Sequence, residues 1–379
     1  MIYLDHAAAT PVDEDVLAAM QPYFSEQFYN ASASYLPARQ ARGALEAARG
    51  RVAHWLGVRP TEVIFTAGGT EGNNAAIAGV MAKFSNCFVT ITGIEHDSVL
   101  VPAQQFNCSV ALVTEQGRVD LDDLRRKIGD NTVLVSVMYA NNEVGTIQPL
   151  RQISLLLQEI RTKRKLAGNT LPLYFHTDAC QAANYLDLHV EKLGVDLMTL
   201  NGGKIYGPKQ TGVLYIARHV QIAPLIRGGG QEHGLRSGTE NVVGAIGFAA
   251  ALEKAQTMRY DEAKRLNEVK NHALHLLSQK IPGAYVNGAS KNRLPNNIHI
   301  TLPGFDNERV LVQLEQQGVL AAAGSACSAS SEEPSHVLRA MGLSNEAARS
   351  SLRVTMGRAT AKSDIEHFIH TLTEITKRK

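Results

Sequence analysis

The sequence predicts an α/β protein with a mostly parallel sheet covered by helices, followed by a smaller α+β region. Two observations carry this reading. From about residue 62 to 255, short apolar runs of strand type alternate with helical patterns, as expected for strands joined by helical crossovers. Past residue 256 the texture changes to a long charged helix and then to short mixed elements. At 379 residues the chain is also too long for one ordinary core. The expected division is a large α/β domain over 15–255 and a small α+β domain over 1–14 and 256–379.

The elements follow in order. The strand candidates are Val63 to Thr66, Cys87 to Ile91, Thr132 to Met138, Leu173 to Thr177, Leu197 to Leu200 and Gly212 to Ile216. Each is short and mostly apolar, and most are rich in β-branched or aromatic residues. Between them lie helical stretches such as Ser154 to Lys165. The second region opens with a charged helix over Asp261 to Lys280. Asn297 to Thr301 and Ser351 to Met356 are its strands, with a terminal helix closing the chain. Met1 to His6 enters a strand-like segment directly and is expected to pack with this second region.

Bulk composition narrows the function classes. A hydrophobic fraction of 44% and a charged fraction of 20% are globular values, and a net charge of +2 offers no field for a polyanion. No direct nucleic-acid partner is expected. No run approaches the roughly 18 apolar residues of a membrane span, and no leader pattern is visible. The four cysteines, Cys87, Cys108, Cys180 and Cys327, show no metal spacing. A cytoplasmic, reducing setting without metal or membrane follows as the expectation.

Chemistry concentrates at strand ends, where α/β sheets hold their ligands. Asp178 closes the run Leu173 to Thr177, and Lys204 follows Asp196 to Leu200 within Asn201-Gly202-Gly203-Lys204-Ile205-Tyr206-Gly207-Pro208. A carboxylate and an amine displayed side by side suit pyridoxal 5′-phosphate. The amine condenses with the aldehyde, and the carboxylate keeps the ring nitrogen protonated. After Thr66 comes Ala67-Gly68-Gly69-Thr70-Glu71-Gly72-Asn73-Asn74, and then an Ala-rich helical run. Bare N–H groups at such a turn, the helix dipole and the Thr70 hydroxyl suit a phosphate.

These residues, taken in order along nearly the whole chain, resemble the NifS/IscS-like cysteine desulfurases, fold-type I enzymes of the class V aminotransferase group. The likeness includes Tyr3 to Thr10, Glu95 to Leu100, Asn141 to Gly145, Asp178 to Gln181, Lys204 to Lys209, Arg227 to Asn241, Gly324 to Ser328 and Ser350 to Arg353. It implies a large domain built on a mostly parallel seven-stranded sheet, with the small domain carrying a catalytic Cys loop.

The same resemblance implies roles. Lys204, Cys327, His96 and Asp178 would be catalytic. Gly69, Thr70, His96, Asn142, Asp178, Gln181, Asn201, Lys204 and Thr239 would hold the cofactor, with Thr239 reaching a neighbour's phosphate site in a homodimer. Asn142 and Arg353 would bind the substrate carboxylate, a task suited to a planar guanidinium. Cys327 lies among small residues from Ala321 to Ser331, expected to form an exposed loop. The implied reaction converts L-cysteine to L-alanine, leaving sulfur on Cys327 as a persulfide. An acceptor protein would then take it for iron–sulfur cluster assembly or RNA thiolation, with Cys327 able to ligate a cluster transiently with a scaffold. A selenocysteine lyase, another class V lyase or aminotransferase, or a desulfurase dedicated to DNA sulfur modification is the alternative. The pattern departs from the family at Asn201 and Gly203, which stand where Ser and His are usual.

Overall fold

A computed structural model describes residues 1–324 and 333–377. In chain order its strands are β1 (Ile2–Tyr3), β2 (Val63–Thr66), β3 (Phe88–Thr92), β4 (Asn107–Ala111), β5 (Thr132–Ser136) and β6 (Tyr174–Asp178). They continue with β7 (Leu197–Asn201), β8 (Gly212–Ile216), β9 (Tyr285–Val286), β10 (Asn297–Thr301), β11 (Val319–Leu320) and β12 (Ser351–Thr355).

Seven of these form one sheet in the order β2-β8-β7-β6-β5-β3-β4. β8 runs antiparallel to both neighbours, and the other pairings are parallel. The central strands are buried throughout, as a sheet with helices on both faces requires. Even the polar His176 is accommodated there. Its ring bonds Ser136 Oγ at 2.8 Å on one side and Thr199 Oγ1 at 3.0 Å on the other. Burial pushes its pKa down to about 4, so it stays neutral and ties three strands together.

One core face packs Leu45, Val52, Leu157, Phe175, Met198 and Phe248, and the other packs Ile77, Val80, Val89, Ile91, Leu134 and Leu197. The second region has its own cluster, with Leu266, Ile298, Ile300, Val354 and Phe368 beneath the antiparallel sheet β12-β10-β9. Leu4 from the N-terminal segment joins that cluster, and β1 pairs with β11.

Two details differ from the sequence reading. β4 is an additional strand at the sheet edge; its residues are mostly half-exposed, so Asn107-Cys108-Ser109-Val110-Ala111 carries no apolar run. The charged helix begins far earlier than Asp261. It runs unbroken over Val242–Lys280, 39 residues, capped by the Asn241 side chain at Gly244 N. Residues up to Ala255 pack in the large core and those from Leu266 in the second cluster, so one rod spans both.

The segment 227–241 is held to the sheet by an ion pair. Arg49 donates to both Glu232 oxygens at 2.7 and 2.8 Å, and Glu232 also accepts from Phe65 N at 2.8 Å. Both side chains are buried, at 3% and 5% exposure. Removing one partner of such a pair strands a buried charge. Glu232→Ala is expected to cost about 3–5 kcal/mol, read as a lower urea midpoint, and Glu232→Gln less. An unchanged midpoint in Glu232→Ala would contradict this anchoring role.

Candidate active site

Of the residues singled out in the sequence, Gly69, Thr70, His96, Asn142, Asp178, Gln181, Asn201 and Lys204 lie at one edge of the large sheet, at or after the carboxyl ends of β2, β3, β5, β6 and β7. Asp178 is the last residue of β6 and pairs in register with Thr199 of the neighbouring β7. Lys204 closes the one-turn helix Gly202–Lys204 that follows β7. His96 caps the helix Asp97–Ala103 after β3. Asn142 and Gln181 lie in the segments after β5 and β6.

After β2 the chain turns at Gly68, whose φ of 120° and ψ of −176° are open essentially to glycine alone. The helix Gly69–Met81 then starts, with Thr70 exposed in its first turn. A side chain at Gly69 would meet Cys180 Sγ at 2.7 Å, and one at Gly72 would meet Thr199 Cγ2 at 2.7 Å. Glycine therefore lets this helix start directly against β6 and β7. An open cleft of about 570 Å³ lies in front of it, lined by Gly69, Thr70, Asn201, Gly203, Lys204 and Lys209 among others. A larger surface hollow, of about 680 Å³, is lined by Arg59, Lys83 and Arg218; none of the residues gathered here lines it.

Asn201 turns its side chain inward, accepting from Gly203 N at 2.9 Å. Gly203 presents only backbone. Its carbonyl accepts from Thr10 N at 3.0 Å and Thr10 Oγ1 at 3.1 Å. Tyr206 N donates to Thr10 Oγ1 at 2.8 Å, and Lys209 Nζ to Thr10 O at 2.7 Å. The N-terminal segment thus clamps the turn that carries Lys204. It reaches Gln181 too, whose Nε2 donates to Ala7 O at 2.9 Å.

Asp178 is fully buried in its surroundings. Burial works against its charge, but the Cys180 N–H at 2.9 Å and the nearby Lys204 ammonium outweigh it and hold its pKa below the usual carboxylate range. Asp178 is therefore ionised. Burial pushes the His96 pKa down, and the Lys204 charge adds to this. Cys180, with its thiol pushed well up by burial, is inert, as expected of a packed cysteine.

Arg353 of β12 is 1% exposed and ion-paired to Asp5 at 2.7 Å, with Asn142 O accepting at 3.3 Å. Its Nε is buried without a partner among the described residues. Arg236 pairs with Glu71 of the same chain at 3.0 Å, and Thr239 is exposed. Cys327 lies outside the described residues. Sequence reasoning did not single out Asn73, Ser98 and Thr10 as site residues. Asn73 and Thr10 act on residues distant in the chain, and Ser98 on its near neighbour His96, so no periodicity marks them.

The family model described as Aminotransferase class-V matches residues 2–368. The chain belongs to that family. Among class-V relatives, the cysteine desulfurase IscS of Dictyoglomus turgidum is 40% identical, aligned over 100% of this chain and 95% of its own length. A solved structure described as a NifS-like protein superposes with a TM-score of 0.91 at 31% identity, covering 100% of both chains. A structure of SspA in complex with cysteine covers 94% of this chain and 99% of its own, with a TM-score of 0.80 at 32% identity.

Glu95, next to His96, is 0% exposed and accepts from Thr92 Oγ1 at 2.6 Å and Met138 N at 3.0 Å. Burial lifts its pKa to about 8, and the Asp178 charge adds to the rise. The folded protein therefore keeps a proton that the unfolded chain has released. That stability is full below the unfolded value and is lost as pH rises through about 8. In Glu95→Gln, which cannot ionise, the melting temperature is expected to fall less between about pH 6 and 9 than in the parent. Parallel melting curves against pH would contradict the buried proton.

Proposed function

We propose that this chain is a cysteine desulfurase that binds pyridoxal 5′-phosphate and moves sulfur from L-cysteine to Cys327, releasing L-alanine. The observation that carries the reading is the ionised, buried Asp178 at the end of β6 with Lys204 just beyond the end of β7. Full-length relatives named as cysteine desulfurases support it.

The donor set fits this cofactor. A phosphate suits the backbone N–H groups at Gly68 to Thr70, the Thr70 hydroxyl and the dipole of a 13-residue helix, with the Lys209 ammonium on the same cleft. Thr239 of a second copy would complete that cradle in a homodimer. The Asp178 carboxylate suits a protonated ring nitrogen, His96 the ring face, and Asn142 and Gln181 the ring oxygen. When bound, the cofactor would supply an electron sink that labilises bonds at an amino acid's Cα.

The chain's own residues do the rest. Arg353 and Asn142 orient the substrate carboxylate; among the described residues the Nε of Arg353 has no hydrogen-bond partner. Lys204 carries the proton to and from Cα. Cys327 takes the sulfur atom as a thiolate, leaving a persulfide that passes to an acceptor protein. That acceptor would serve cluster assembly or RNA thiolation, and Cys327 could hold a cluster transiently beside a scaffold. The functional units would be residues 15–255, and 1–14 with 256–379.

Mass spectrometry after one turnover with L-cysteine tests the transfer. The expected result is an added sulfur on Cys327, matched by an equal amount of alanine, and its loss in Cys327→Ala while the cofactor's absorbance is kept. Lys204→Ala should lower turnover by roughly 100- to 10,000-fold. Alanine without persulfide on Cys327 would instead mark a lyase of the same family.

A further inference from the structure

A chain of hydrogen bonds behind the site gives each donor and acceptor one role. Asn73 lies on the helix Gly69–Met81 and is 0% exposed. Its Nδ2 donates to Asp178 Oδ2 at 2.7 Å and to Ser98 Oγ at 2.8 Å. An ionised carboxylate can only accept, so the amide nitrogen must face it, and both amide hydrogens are then spent. Ser98 Oγ, having accepted from Asn73, directs its own hydrogen to His96 Nδ1 at 2.8 Å. The Ser98 backbone N–H points at the same nitrogen, at 3.1 Å. A backbone N–H cannot reverse its role, so His96 Nδ1 is held as an acceptor.

We propose that Asn73 and Ser98 are positioning residues that tie the charge of Asp178 to the tautomer of His96, so that the neutral ring carries its proton on Nε2 and meets substrate as a hydrogen-bond donor. The only basic nitrogen of that ring points into the protein. Protonating it would set an N–H against the Ser98 N–H, which agrees with the lowered His96 pKa. Lys204 and His336 also disfavour the charged ring, while Asp178 and Asp97 favour it. Neutral His96 therefore holds a proton at Nε2 and has no free lone pair there to take one from a substrate thiol. Were Asp178 to lose its charge, the Asn73 amide would lose its reason to face it, and the hydroxyl of Ser98 its fixed direction. The identity of the group that Nε2 meets rests on the desulfurase reading; the tautomer does not.

The test is nitrogen NMR on cofactor-loaded protein labelled with ¹⁵N-histidine, with His96 assigned by its loss in His96→Gln. The expected spectrum has protonated Nε2 and bare Nδ1 across the neutral range. Ser98→Ala should move the His96 titration midpoint upward, while the backbone N–H of residue 98 still keeps Nδ1 bare, and should lower kcat/KM for L-cysteine roughly five-fold, the worth of one hydrogen bond. Ser98→Thr, which keeps the hydroxyl, should restore the parent titration. A protonated Nδ1 in the parent, or an unchanged titration in Ser98→Ala, would overturn the proposal. The expected ring signals in a protein that makes no alanine from L-cysteine would uphold the relay and sink the desulfurase reading.

Discussion

A negative charge buried at the end of β6 is the constraint on which the rest of this site depends. An unpaired carboxylate at that depth would cost several kcal/mol. Asp178 persists ionised because the Cys180 N–H, the Asn73 amide and the Lys204 charge are all brought to it. They come from different strand-end connections, and a mostly parallel sheet is what delivers these to one edge. The two glycines that let the helix Gly69–Met81 lie against β6 and β7 serve the same end, because Asn73 reaches Asp178 from that helix.

The N-terminal segment works as a strap between the two cores. Leu4 is buried with the second cluster, Asp5 holds Arg353, Ala7 receives Gln181, and Thr10 binds Gly203, Tyr206 and Lys209. Residues 5–10 thereby join β12 to the turn that carries Lys204. Asp5 also occupies one edge of the Arg353 guanidinium, which is thereby oriented and part-neutralised. Gly203 contributes its carbonyl to this strap and no side chain to the cleft.

Much of this was legible in the chain itself. Asp178 and Lys204 stand out because each ends a short apolar run, and a strand buried on both faces needs such a run. The cup at Gly68 to Thr70 is legible because a left-handed turn before a helix demands glycine. What escaped has physical reasons too. Asn107–Ala111 is an edge strand with one neighbour, so it lacks an apolar signature. The helix Val242–Lys280 changes composition midway because it leaves one core for another, although the backbone continues unbroken. Asn73 and Ser98 act through neighbours 105 and 2 residues away, and no periodicity marks such a link. Arg353 reads as a free clamp in sequence, whereas its partner Asp5 is 348 residues distant.

The central claim is that Lys204 is the amine that engages the cofactor, beside Asp178. The most direct measurement is borohydride reduction of the purified protein, loaded with pyridoxal 5′-phosphate, followed by peptide mass mapping. The account predicts one phosphopyridoxyl group per chain, on Lys204, with loss of the visible absorbance. A label on Lys209 or any other lysine, or no label at saturating cofactor, would contradict it.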